Sequence, residues 1–203
     1  MNIALLGATG NAGSRLLAEL LARGHRVTAI ARHPETLASR DGLTAKAGDV
    51  NDEAGLAALL RGHDAVISAT HFQSTDPRVL IAAIRASGVL RLLMVGGAGS
   101  LEVAPGLALV DTPEFPAAYK AEASAGRDTL RLLRDEQDLD WTFLSPSALF
   151  APGARTGRFR LGGDELLVDA EGKSHISMED YAIALVDELE TPRHSRRRFT
   201  VGY

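Results

Sequence analysis

Met1-Asn2-Ile3-Ala4-Leu5-Leu6-Gly7-Ala8-Thr9-Gly10-Asn11-Ala12-Gly13 opens the chain. An apolar run, residues 2–6, enters a turn with glycines at 7, 10 and 13, and a leucine-rich amphipathic stretch follows. The pattern reads as strand, tight turn, helix. Gly7 suits the turn, Gly10 lets a phosphate approach backbone N–H groups, and Gly13 permits close packing of helix on strand. The field at a helix N-terminus favours an anion there. Gly7, Thr9, Gly10, Asn11 and Ala12 are therefore the candidate cradle for a dinucleotide pyrophosphate.

The same rhythm repeats outward from this turn. Amphipathic stretches at 11–23, 53–61 and 77–87 stop at Gly24, Gly62 and Gly88, and an apolar strand starts soon after each. A longer helix is expected over about 117–134. Strands are expected near 2–6, 27–31, 44–47, 64–69, 90–95 and 140–144. They are apolar with little alternation, as in a parallel sheet covered on both faces. The expected fold is α/β: a Rossmann-like doubly wound parallel sheet in the order 3-2-1-4-5-6.

After residue 150 the rhythm breaks. A hairpin is expected over 157–169 around Gly162-Gly163-Asp164, with Arg155, Arg158 and Arg160 as a solvated face. A helix at about 178–189 follows, capped by Ser177 or a neighbour, with Glu179 and Asp180 at its start. RRRFTVGY, 196–203, reads as a last strand. The chain is taken as a single domain, 1–203. Its dinucleotide-binding core covers 1–150, and a small α+β extension, 151–203, forms the substrate side.

The 203 residues carry 22 Lys+Arg against 26 Asp+Glu, a net charge of -4, and contain no cysteine. Disulfides, thiolate metal sites and cysteine nucleophiles are excluded. Mild acidity argues against nucleic acid as partner. No apolar stretch approaches the ~20 residues that span a bilayer, so no membrane association is expected. No His/carboxylate cluster has metal-ligand spacing. The expected location is cytoplasmic.

The second strand discriminates between dinucleotides. Where an acid would accept bonds from a ribose 2′-OH, this chain has Arg32 and then His33. A planar guanidinium there suits a 2′-phosphate, so NADP(H) is expected over NAD(H). Asp49 and Val50, after the third strand, are candidate adenine contacts. Asp49 also reads as a helix cap. Ala69 and Thr70, small residues ending the fourth strand, leave room for the adenosine ribose.

GATGNAG at 7–13, Arg32 and GDV at 48–50 resemble the atypical short-chain dehydrogenase/reductase superfamily. VGGAGSLEVAPG (95–106), DWTFLSPSALFAPGARTGRFRLG (140–162), HISMEDYAIALVDELE (175–190) and RRFTVGY (197–203) are similar to its NADH-flavin reductase group. That group neighbours the NmrA-like and flavin/biliverdin reductase B-like proteins. The resemblance implies hydride transfer from NAD(P)H to a small-molecule flavin or quinone-like acceptor, with FMN or FAD as substrate. It places Gly96 and Pro146 beside the nicotinamide, and makes Ser100, Tyr119 and Lys120 the candidate catalytic residues. The superfamily's Lys four residues after the Tyr is Ala123 here. That departure supports an alternative, a non-catalytic NADP(H)-sensing NmrA-like regulator. The oligomeric state is left open by the sequence, with a homodimer as one arrangement, since helices of doubly wound proteins often pair.

Overall fold

A computed structural model describes all residues, Met1–Tyr203. In chain order the elements are β1 (Asn2–Leu6), α1 (Asn11–Ala22), β2 (Arg26–Ala31), β3 (Leu43–Ala47), α2 (Glu53–Leu60) and β4 (Ala65–Ser68). They continue with α3 (Pro77–Ser87), β5 (Arg91–Val95), β6 (Glu102–Ala104), β7 (Leu107–Ala108), α4 (Ala117–Arg134) and β8 (Asp140–Pro146). The last are β9 (Leu149–Ala151), β10 (Arg160–Gly162), β11 (His175–Ser177), α5 (Met178–Glu190) and β12 (Arg197–Gly202).

The main sheet runs β3-β2-β1-β4-β5-β8-β12-β10. Its first six strands give the expected order 3-2-1-4-5-6. All pairs are parallel except β10 with β12. Alternate side chains divide between two cores, as the period of a strand requires. Ile3 and Leu5 of β1 join Leu16 and Leu20 of α1 and Tyr181 and Leu185 of α5. Ala4 and Leu6 face the other way, toward Leu56 of α2, Ile84 of α3 and Leu133 of α4.

The C-terminal segment corrects one expectation. The hairpin over 157–169 does not form. Only Arg160–Gly162 is a strand, and it pairs with β12. Asp164 is drawn aside by ion pairs with Arg198 and Arg134. The Asp164 carbonyl accepts the N–H of Glu102 at 2.8 Å, which turns the chain toward β6 instead of back along β10. Arg155, Arg158 and Arg160 are exposed, as expected, and two of them also tie loops to the core. Arg155 clamps the buried Glu19 through two hydrogen bonds, and Arg160 donates to the carbonyls of Val168 and Tyr203.

Ser177 caps α5, its hydroxyl accepting the N–H of Asp180 at 3.0 Å. Glu179 and Asp180 turn outward from the cap to hold the preceding loop. Glu179 accepts the N–H of Gly153 at 2.7 Å, and the fully buried Asp180 accepts the N–H groups of Thr156 and Gly157, each at 2.8 Å. Burial opposes ionisation of Asp180, but these bonds and those from the Thr156 and Tyr203 hydroxyls hold its carboxyl below the usual range. No helix is long and apolar enough to cross a membrane.

Candidate functional site

Two clefts open at the carboxyl ends of the parallel strands, where ligands of doubly wound sheets bind. The first, of about 230 Å³, is lined by Gly7, Thr9, Gly10, Arg32, Asp49, Val50, Ala69 and Thr70, together with Asn51, His71, Ser74 and Thr75. Eight of the residues expected to hold a dinucleotide therefore meet in one place. Gly7 adopts φ +80, and a Cβ there would stand 2.5 Å from the carbonyl oxygen of Ala69. The turn thus lies against the end of β4. A Cβ on Gly13 would stand 2.0 Å from the Gly7 carbonyl oxygen, so α1 begins directly on the turn.

Gly10 is the N-cap of α1. No side chain caps it, and the first turn contains no acidic residue. The leading N–H groups of a helix lack intrahelical partners, so those of Asn11 and Ala12 remain to meet an anion. This fits a pyrophosphate.

Arg32 is exposed at the mouth of the cleft and engages no carboxylate, whereas His33 turns aside to Glu35 at 3.2 Å. Asp49 is not a helix cap. Asp52 has that role, accepting the N–H of Gly55 at 3.1 Å. The Asp49 carboxylate folds back on the N–H of Asn51 at 2.9 Å and stays exposed. Asn51, which the sequence reading passed over, bridges two loops. Its amide donates to the Ser74 carbonyl at 2.9 Å and accepts the Asp76 N–H at 2.8 Å.

The second cleft, of about 420 Å³, shares a wall with the first, since His71 lines one and Phe72 the other. Its floor is the turn Gly96–Gly99 after β5 and the segment Pro146–Ala148 after β8. A Cβ on Gly96 would stand 2.3 Å from the Phe143 ring, so only glycine lets this turn lie on β8. The Leu144 carbonyl fixes it, accepting the Gly96 N–H at 2.8 Å and the Tyr181 hydroxyl at 2.6 Å. Tyr181 is fully buried, which pushes its phenol far above the usual range.

Of the three candidate catalytic residues, only Tyr119 lines this cleft. Lys120 is exposed and points off it. Ser100 lies on the far side of its turn, where the Arg198 guanidinium approaches its hydroxyl at 3.5 Å. Ala123 lines the cleft one helical turn beyond Tyr119, and the Cβ position of Gly99 falls 2.7 Å from its methyl group. The neighbouring Glu122 does different work. Its two oxygens accept the N–H groups of Phe72 at 2.7 Å and Gln73 at 3.0 Å. The loop after β4 is thereby pinned to α4, with the Phe72 ring against Gly126 and stacked 6.0 Å from Phe143.

A family profile described as NAD(P)H-binding matches residues 7–192. The uncharacterised protein YwnB of Bacillus subtilis (strain 168) is 42% identical over 99% of this chain and 98% of its own length. A Bacteroides thetaiotaomicron structure provisionally named an epimerase superposes with TM-score 0.95 at 46% identity, covering 100% of this chain and 96% of that one. A Streptococcus pneumoniae structure provisionally named an NADH-flavin reductase gives TM-score 0.81 at 37% identity, over 100% and 99% of the two chains.

Proposed function

The chain belongs to the NAD(P)H-binding family, and from that premise we propose that it is a reductase that passes hydride from NADPH to a flavin or quinone-like acceptor. The observation that carries this reading is the pair of clefts with a common wall at His71-Phe72. One is polar, with a glycine turn and a free guanidinium. The other is largely apolar and floored by Gly96 and Pro146.

The first cleft would hold the dinucleotide. Asn11 and Ala12 present N–H groups to the pyrophosphate, Arg32 pairs with the 2′-phosphate, and Asp49 and Val50 border the adenine. Ala69 and Thr70 lie along the ribose. Gly96 and Pro146 support the nicotinamide, which supplies a hydride when bound. Phe72, Phe115 and Tyr119 then wall off the space in which an acceptor stacks. Ser100 and Lys120, standing off this cleft, have at most an orienting influence on it. With Ala123 in place of a lysine, no ammonium stands one helical turn from Tyr119 to assist a proton transfer or grip the nicotinamide ribose. Carbonyl reduction needs such acid help, whereas a flavin or quinone is already electron-poor.

The same Ala123 favours the second reading, an NADP(H) sensor without turnover. Absorbance-monitored NADPH oxidation, with riboflavin, FMN and a naphthoquinone supplied in turn, separates the two. Turnover above the enzyme-free rate is expected. Binding of NADPH with no acceptor reduced would leave the sensor. Arg32→Ala should raise KM for NADPH about tenfold, the loss of one charge-assisted contact, and leave KM for NADH nearly unchanged. An equal effect on both removes the 2′-phosphate role of Arg32.

A further inference from the structure

The charge of the acceptor cleft is one-sided. Its lining contains no lysine, arginine or histidine, and its only ionisable acids are Glu114 and Glu122. The remaining wall is mostly apolar, with Phe72, Leu109, Phe115 and Phe150. The His71 ring nitrogen approaches a Glu122 oxygen at 3.5 Å from the side of the other cleft, and the remaining cations are ion-paired or lie outside the lining. Arg127 is ion-paired to Asp111 at 2.8 Å, Arg15 to Glu179 at 3.0 Å, and Arg198 to Asp164. Lys120 is exposed on α4, off the cleft lining. The free guanidinium of Arg32 belongs to the other cleft.

A phosphorylated acceptor would bring about two negative charges toward these carboxylates. It would find no lysine or arginine lining the cleft to meet them. An uncharged aromatic ring system would bring no charge toward them and would meet walls that are mostly apolar side chains and glycine backbone. Like-charge juxtaposition discriminates between partners that are otherwise alike.

Resting on the reductase reading, we propose that this cleft selects uncharged planar acceptors and discriminates against phosphorylated ones. Riboflavin and FMN share the reacting ring and differ in one phosphate, so they isolate the effect. In either case the ring gains a hydride from the nicotinamide and a proton from water, leaving NADP+ and the dihydroflavin.

Two measurements test the proposal. The first is kcat/KM for riboflavin and FMN with NADPH, at low and high salt. Riboflavin should be favoured about tenfold at low ionic strength, and the preference should shrink as salt screens the carboxylates. Glu114→Gln, at an exposed side chain that makes no hydrogen bond, should narrow the riboflavin-to-FMN ratio.

The second is a fluorescence titration of each flavin with the protein saturated in NADP+, which requires no turnover. Tighter binding of riboflavin supports the proposal. Equal or tighter binding of FMN, or binding of neither flavin, overturns it. Turnover that favours FMN overturns it while leaving the reductase standing. If riboflavin binds more tightly but no acceptor is reduced, the reductase reading fails and the selectivity of the cleft stands.

Discussion

Gly13 has no side chain because the Gly7 carbonyl occupies the space where one would begin, 2.0 Å from the ideal Cβ position. Backbone on both sides makes the clash hard to relieve. Gly13→Ala should therefore lose about 1–3 kcal/mol of stability, the usual cost of forcing a methyl group into a packed site. Gly10→Ala is the control. Its Cβ would stand 3.3 Å from the same oxygen, so its melting temperature should stay close to the parent's while dinucleotide affinity falls. Equal melting of the two variants would remove the packing role of Gly13. Residues of this kind were readable in the sequence, since turn, cap and helix start are all local. Asn51 and Glu122 were not, because their partners are backbone groups of a loop distant in sequence. Asp49 was ambiguous for a related reason. An acid just ahead of a helix reads as a cap until the register shows that Asp52 holds the position.

Among elements, the loop after β4 and helix α4 act together. Glu122 spends both carboxylate oxygens on that loop, and the loop lends His71, Ser74 and Thr75 to one cleft and Phe72 to the other. An amide has a single acceptor oxygen, so Glu122→Gln should free one N–H at a cost of about 1–2 kcal/mol. The melting temperature should drop by about 2–8 °C. KM should rise for dinucleotide and acceptor alike, since the loop walls both sites. A rise for the acceptor alone would mean that Glu122 acts only on its own cleft. The strands β1 to β5, β8 and β12 and the five helices were legible because the strands stand out as apolar runs, the helices are long enough to show their periodicity, and glycines mark three of the helix ends. The short strands β6, β7, β9 and β11 were not. Each has three residues or fewer, and Leu149–Ala151 finds its partner only at His175–Ser177. Nothing local distinguishes such segments from loop.

At the scale of the whole molecule, α5 and the last strand tie the loop at 153–157 to the core, and their polar contacts make the stability of the fold pH-dependent. Asp180 accepts from Thr156, Gly157 and the Tyr203 hydroxyl at the end of the chain. Asp180 is one of several carboxyls held low. For Glu19, the Arg155 bond outweighs burial. For Glu136, burial is offset by the N–H groups of Asp138 and Leu139 and by Arg85. The unfolded chain binds more protons at these groups as pH falls. Their contribution is thus complete above about pH 5 and lost as pH drops through about 4 toward the lower folded-state values. The tyrosines act with the opposite sign. Burial raises both Tyr181 and Tyr203, so their contribution is complete below about pH 10 and lost above it. Denaturant midpoints measured against pH should form a plateau between these limbs. Asp180→Asn should lower that plateau by about 2–4 kcal/mol, because one amide oxygen cannot serve four donors in a buried site. It should also flatten the acid limb, because one of the groups that produces it is gone. Tyr181→Phe should cost only about 1 kcal/mol, since the Leu144 carbonyl keeps its bond from Gly96, and it should weaken the alkaline limb. An acid limb as steep in Asp180→Asn as in the parent would show that Asp180 titrates alike in the folded and unfolded chain, and the acid sensitivity would then rest on the other carboxyls held low, Glu19 and Glu136 among them.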